Sequence, residues 1–412
     1  MVVKGPPYLP IVDAAAPVCH DTVDGTCIAR GSCSSCSTFG PADVANLRAQ
    51  GQNAVRLGVV WAGAQPKDSD ELDADFVKRL HAVLDLTDAA GLAVVLDNHG
   101  DQVGTAGCGN GVPIWFQQRA APDLIGAPLT TELPYSLFLP IDAVAGYDTC
   151  GAGNASRWAE HADDPNYNLL NDCCKAMNSR NPGGLGFTAV SQRTMTYLLR
   201  PGAGRDAFVR FWRLLAREVA QHPSAVACEL MNEPRTIHRR LMFDTWRACG
   251  EAINAEVPDM LVSVSDVGED AVMPWWVAKY GGAAGANIDI SDWAMSWIKS
   301  SGTAFYAWHW YGPPSMAKAE EAVRRAQATG EDWGIPTIAT EFMSPAVWRA
   351  TAAANMSHLY WHYSAYCNTG PAFGNRRVPE ETFGACILGW GAGTSTYPPP
   401  LAAPATTATS AH

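Results

Sequence analysis

Apolar and polar positions along this chain alternate between two periods. Phe76, Leu80, Val83 and Leu84 recur at i, i+4, i+7 and i+8, and Phe208, Phe211, Trp212, Leu215 and Val219 form a second stripe of helical period. Between such stripes lie short, nearly continuous apolar runs: Ala54 to Val60, Leu92 to Leu96, Ala225 to Leu230, Leu261 to Val264, Thr303 to Ala307, Pro336 to Thr340, and Leu359 to Trp361. Strands that are apolar on both faces and separated by amphipathic helices predict a parallel sheet covered on both sides. Seven of them, each running into polar or aromatic residues, predict an α/β fold of the (β/α)8 TIM-barrel type, with its active site at the C-terminal ends of the strands. An open doubly wound sheet would need a glycine-rich phosphate turn after an early strand, and the sequence has none.

Two stretches fall outside this rhythm. Residues from about 107 to 204, rich in Gly, Pro, Asn and Cys, read as a loop insertion after the third strand, partly stapled by disulfides and of the kind that shapes a cleft. Residues 394–412, rich in Pro, Ala and Thr, read as a disordered tail, which leaves 1–393 as one catalytic barrel domain.

Composition narrows the partners. Charged residues make up 17% of the chain and the net charge is -12, so a phosphate backbone finds nothing to bind and nucleic acid is excluded. No apolar run approaches the roughly 20 residues of a membrane helix. Twelve cysteines, clustered at Cys19, Cys27, Cys33 and Cys36 and again at Cys150, Cys173 and Cys174, point to an oxidising compartment, and two glycosylation acceptors, Asn154-Ala155-Ser156 and Asn355-Met356-Ser357, agree. Secretion or the endomembrane lumen is expected. Met1 to Pro7 has no apolar h-region, so a signal peptide has either been removed or lies upstream. Cys33 and Cys36 with Cys19, His20 and Cys27 suggest a zinc knuckle only superficially, because no second properly spaced pair completes it; disulfides of unspecified pairing are the better reading. No metal and no cofactor are expected.

The chemistry concentrates at strand ends. Glu229-Leu230-Met231-Asn232-Glu233-Pro234 closes one strand, and Thr337 to Thr340 runs straight into Glu341-Phe342. A carboxylate beside a low-dielectric core needs partners, and two strand-terminal glutamates brought together by the fold are what glycosidic bond cleavage requires. Glu233 is the candidate general acid, with a pKa raised by partial burial; its bland alternative is a helix-capping carboxylate. Glu341 is the candidate nucleophile. Arg56, inside an apolar strand, is the cation that would keep Glu341 ionised, unless it is a purely structural ion-pair partner. The Asp97-Asn98-His99-Gly100-Asp101 run ends another strand and suits sugar hydroxyls or a metal, although the metal reading lacks a second histidine at helical spacing. His309-Trp310-Tyr311 ends a further strand, where Tyr311 could hydrogen-bond the nucleophile and His309 the substrate. Trp361 offers a flat face for a pyranose ring, with core packing as its alternative. Trp275, Trp276, Trp293 and Trp297 suit contact with sugar or lipid, or ordinary packing.

Taken together these residues resemble the retaining glycosidases of glycoside hydrolase family 5, and within it the endoglycoceramidase-like branch. The general pattern is Asn53-Ala54-Val55-Arg56-Leu57, Asn232-Glu233-Pro234, His309 with Tyr311, Glu341-Phe342 and Trp361. The branch is carried by Met1 to Tyr8, Arg56 to Trp61, Asp97 to Asp101 and Gly109 to Trp115. The resemblance implies that Glu233 is the acid/base and Glu341 the nucleophile. It also implies that Lys4, Asp97, His99, Asn232, Tyr311 and Trp361 line the sugar subsite beside the scissile bond. It further implies a first barrel strand that is incomplete in this chain, since Val2-Val3-Lys4 matches the segment just after the usual Gly-Val-Asn. The expected activity is hydrolysis of the glycan–ceramide bond of glycosphingolipids, by a monomer touching a membrane surface transiently. The rivals are an endo-β-1,4-glucanase, a ceramide or steryl β-glucosidase, and a catalytically silent glycan- or lipid-binding barrel.

Overall fold

The computed structural model of the protein describes residues 9–12, 38–49, 51–137, 139–141, 177, 180, 181, 184–266, 289–312, 315–342 and 344–361. Lys4, the cysteines from Cys19 to Cys36, the Asn154 acceptor, Cys150, Cys173, Cys174, Trp275, Trp276 and the tail lie outside them. Two short strands, β1 (Ile11–Val12) and β2 (Thr38–Phe39), pair in parallel. The main sheet has seven strands: β3 (Ala54–Gly58), β4 (Ala93–Asp97), β5 (Ala225–Glu229), β6 (Leu261–Ser265), β7 (Ala304–Trp310), β8 (Thr337–Phe342) and β9 (Ser357–His358). They are parallel and stand in chain order from β3 to β9, the topology of a (β/α)8 barrel curled with helices between its strands. No eighth strand joins this sheet among the described residues.

Six of the expected strands match within a few residues. The seventh is displaced: pairing occurs at Ser357–His358, and Leu359 to Trp361 follow it as extended chain, because the Leu359 and Trp361 amides still donate to Ala339 and Phe342 carbonyls of β8. The region expected as a loop between 107 and 204 contains a helix, Ala189–Leu199. Its inward face is Val190, Met195, Leu198 and Leu199, all buried, but Ser, Gln and Thr between them obscure the helical period.

Sequence explains the helices locally. Asp73 caps Ala74–Ala90, its carboxylate accepting from the Asp75 and Phe76 amides at 3.0 Å each. Gly91, at φ 62°, ends that helix and turns the chain into β4. The Phe76, Leu80, Val83, Leu84 stripe and the Phe208 to Val219 stripe both face the main core. Trp61, from the motif after β3, belongs to that core: its ring stacks on Phe211 at 5.5 Å and touches Phe116 and Phe208.

Inside the barrel, Val95, Ala227, Phe305 and Ala307 form a separate small cluster. Strand side chains alternate, so two residues further along β4, β5 and β7 the same inward face carries Asp97, Glu229 and His309. The apolar plug therefore gives way to a charged layer at the C-terminal end.

Candidate active site

Parallel register sets this layer side by side. Gly58 is level with Asp97, Asp97 with Glu229, and His309 with Glu341. The last pairing depends on a register shift between Trp308 and His309, which leaves Thr340 as an extra residue in β8. Both Thr340 and Glu341 then reach the interior. The Thr340 hydroxyl donates to Glu229 Oε1 at 3.1 Å, and Glu341 Oε2 meets Arg56.

Arg56 is the hub. Its Nε donates to Glu229 Oε2 at 2.6 Å, Nη1 to Glu341 Oε2 at 2.9 Å, and Nη2 to Glu229 Oε1 at 3.0 Å and Asn232 Oδ1 at 2.9 Å, with Asp97 Oδ1 at 3.1 Å. A buried guanidinium loses hydration, but Asp97, Glu229 and Glu341 more than restore its charge and raise its pKa. Glu229 is fully buried and would otherwise hold a proton; Arg56 and His309 bring it down to about 2. Glu229 was not among the residues singled out from sequence. The available signal was an acid inside an apolar strand, the same signal that marks Arg56.

The two candidate catalytic glutamates differ. Glu341 is buried, with one oxygen on Arg56 and the other accepting a hydrogen bond from the Tyr311 phenol. Burial and the Glu341 charge push the Tyr311 pKa up, so the phenol keeps its proton and remains a donor. Glu233 is part-exposed at φ 40°, a left-handed conformation uncommon for a residue with a Cβ and held by its setting. Its Oε1 lies 3.2 Å from His309 Nδ1 and its Oε2 accepts from Arg235 Nη2 at 2.9 Å. The expected upward shift is not found. Burial would raise the Glu233 pKa, but His309 and Arg235 hold it at about 2. A carboxylate oxygen of Glu233, one of Glu341 and a ring nitrogen of His309 all lie within 4.8 Å of one another. The charge of the two carboxylates is met by guanidinium groups, Arg56 on Glu341 and Arg235 on Glu233. The other donor set among the described residues, Asp85, Asp88 and His222, lies at the opposite end of the sheet.

Asp97 to Asp101 forms the neighbouring wall. His99 is buried between Asp97 Oδ2 at 2.8 Å and Asp101 Oδ1 at 3.5 Å. Burial alone would discharge it; Asp101 and Asp97 raise its pKa to about 9. Trp361 stacks on this imidazole at 5.1 Å with planes 7° apart. Asn98 is a clamp, accepting from the Trp61 amide at 3.1 Å and donating to the Leu230 carbonyl at 3.4 Å. The Gly109-Asn110-Gly111 motif serves the same wall. Asn110 pairs with the Asp101 backbone through its amide and its side chain, at 2.9 Å each, and a Cβ on Gly109 would lie 1.7 Å from the Asp101 carbonyl oxygen. Arg56, Asp97, His99, Asp101, Asn232, Glu233, His309, Tyr311, Glu341 and Trp361 are thus brought together. Trp297 instead packs in the core, and Trp293, half-exposed, lies under the Arg247 guanidinium at 3.5 Å.

A (β/α)8 barrel with a pair of carboxylates at its C-terminal strand ends is the class that fold and site define. Residues 31–123 match the family model for cellulase, glycosyl hydrolase family 5. Over 199 residues the chain is 25% identical to an endoglycoceramidase of Hydra vulgaris, covering 48% of this chain and 32% of that protein. Over 78 residues it is 38% identical to endoglycoceramidase I of Rhodococcus hoagii (strain 103S), covering 19% and 16%. The chain therefore spans well under half the length of either relative it matches. In fold it is similar to endo-glycoceramidase II from Rhodococcus sp., solved as a lactosyl-enzyme intermediate, with TM-score 0.52, 18% identity and coverage of 88% of this chain and 75% of that one. An endogalactoceramidase aligns with TM-score 0.54 and 15% identity, covering 87% and 70%. The resemblance to family 5 and to its endoglycoceramidase branch, read from the motifs, holds in the sequence matches, and the structural likeness bears out the barrel fold.

Proposed function

We propose that this protein is a retaining β-glycosidase that hydrolyses the bond between glycan and ceramide in glycosphingolipids. The observation that carries the reading is the Glu233–Glu341 pair, with carboxylate oxygens within 4.8 Å at the ends of β5 and β8. Inverting enzymes hold their carboxyl groups roughly 6.5 to 9.5 Å apart to admit a water, whereas retaining ones bring them to roughly 5 Å. In the first step Glu341, an ionised acceptor fixed by Arg56 and Tyr311, attacks the anomeric carbon as Glu233 gives a proton to the departing lipid alcohol. In the second, Glu233 takes a proton from water, which displaces Glu341 from the sugar. Asp97, His99, Asp101, Asn232, His309 and Trp361 line the sugar side, and Lys4 joins them by resemblance alone.

The sequence relatives named endoglycoceramidase support glycolipid as the substrate class, and twelve cysteines support a secreted or lumenal location. The family model's description favours a second reading, an endo-β-1,4-glucanase. Incubation with a ganglioside and, separately, with a soluble cellulose chain distinguishes them. Release of an intact oligosaccharide from the ganglioside is expected; cleavage of the cellulose chain alone would overturn the proposal.

A further inference from the structure

Arg235 was not expected from sequence, and its setting is unusual for a surface arginine. It follows Pro234 directly after the candidate acid/base and turns back to place Nη2 2.9 Å from Glu233 Oε2. Its backbone carbonyl accepts from Gln192 Nε2 at 2.8 Å, and the same buried amide donates to the Gly186 carbonyl at 2.7 Å. Gly186 also makes room: a Cβ there would lie 2.8 Å from Arg235 Cδ. Residues 186 and 192, from the insertion after β4, therefore form a slot that fixes both the backbone and the side-chain stem of Arg235.

We propose that Arg235, seated in this slot, is a positioning residue that holds the Glu233 carboxylate in place and favours its charged state between the two proton transfers. The inference rests on the acid/base assignment of Glu233. That residue must carry a proton when the lipid alcohol leaves and must be free of it to accept one from water. A guanidinium in contact favours the second state. The other charged or titratable groups around Glu233 are His309 on β7, which acts with Arg235; Asp101 after β4, which acts against it; and Glu341 and Tyr311 at the ends of β8 and β7. Arg235 belongs to the same turn as Glu233 and thereby ties the insertion to the proton donor.

The test is the titration of the Glu233 side chain, followed by 13C NMR of carboxyl-labelled glutamate and assigned with Glu233→Gln, in the wild type, Arg235→Met and Arg235→Lys. The Glu233 midpoint should rise by about one pH unit or more in Arg235→Met and stay near the wild-type value in Arg235→Lys. Gly186→Ala, which displaces the arginine stem, should give a smaller rise. With glycolipid substrate, the alkaline limb of kcat/KM should move up together with that midpoint. An unchanged midpoint in a folded Arg235→Met would overturn the proposal. If the wild type cleaves no glycoside, the glycosidase reading fails, while the NMR titration still decides the role of Arg235.

Discussion

The two ends of the sheet assemble the same kinds of residue under opposite conditions. At the N-terminal end, His81 Nε2 lies 2.6 Å from Glu218, His81 Nδ1 lies 2.7 Å from His222 Nε2, and His222 Nδ1 lies 2.6 Å from Asp88. This chain ties the Ala74–Ala90 helix to the end of Ala203–Val219 and to the segment leading into β5, where the Ser224 amide donates to Asp88 at 2.7 Å. Except for His222 its members keep a fifth to a third of their side-chain surface in water. At the C-terminal end, Arg56, Asp97, Glu229 and Glu341 are nearly dry, with side-chain exposures of 5%, 0%, 0% and 8%. Water can replace a lost partner in the first cluster and cannot in the second. The dry cluster contacts part-exposed groups, Tyr311 through Glu341 and Glu233 through His309, whereas the wet one joins helices to one another and to the segment before β5. A barrel places chemistry at one end and stability at the other, and the difference in hydration is the physical form of that division here.

Four changes sharpen this contrast. Glu341→Gln removes the proposed nucleophile and should lower kcat on the order of 10^4-fold or more, with glycolipid binding retained in a direct binding assay. Arg56→Met leaves Asp97, Glu229 and Glu341 without their cation and should cost about 3 to 5 kcal/mol of stability in denaturant unfolding. The charge of His99 contributes in a pH-dependent way. Its pKa is raised in the folded state to about 9, so its stabilisation is whole below 6.5 and disappears as pH rises through 9. The difference in unfolding free energy between pH 6 and pH 10 should shrink by roughly 3 kcal/mol in His99→Gln. At the wet end, His81→Gln should cost about 1 kcal/mol or less and leave turnover unchanged. A stability loss at His81 as large as that at Arg56 would break the distinction.

Sequence pattern was informative where burial is continuous. Six strands were read within a few residues because their apolar runs are buried on both faces; the Asp97, Asn232 and Glu341 positions followed from the strand ends, and Arg56 from being a charge inside one. Reading was poorer where polar residues serve packing. The Ala189–Leu199 helix carries buried Ser191, Gln192 and Thr194, which look like loop residues until Thr188, Ser191 and Gln192 are seen to satisfy one another and the backbone of residues 185, 186 and 235. Glu229 was passed over although an acid inside an apolar run carries the signal that marks Arg56; its partner is specified only once Arg56 crosses from β3. The low Glu233 pKa was likewise hidden, since Arg235 and His309 reach it through the turn and the register of β7, neither of which a linear pattern encodes.

The pairing of Glu233 and Glu341 is tested most directly by trapping. A 2-deoxy-2-fluoro glycoside with a good leaving group, incubated with the wild-type protein and analysed by peptide mass spectrometry, should leave one sugar covalently attached to Glu341, and the attachment should be absent in Glu341→Gln. Label on any other residue, or turnover of the parent glycoside with inverted anomeric configuration and no adduct, would contradict it.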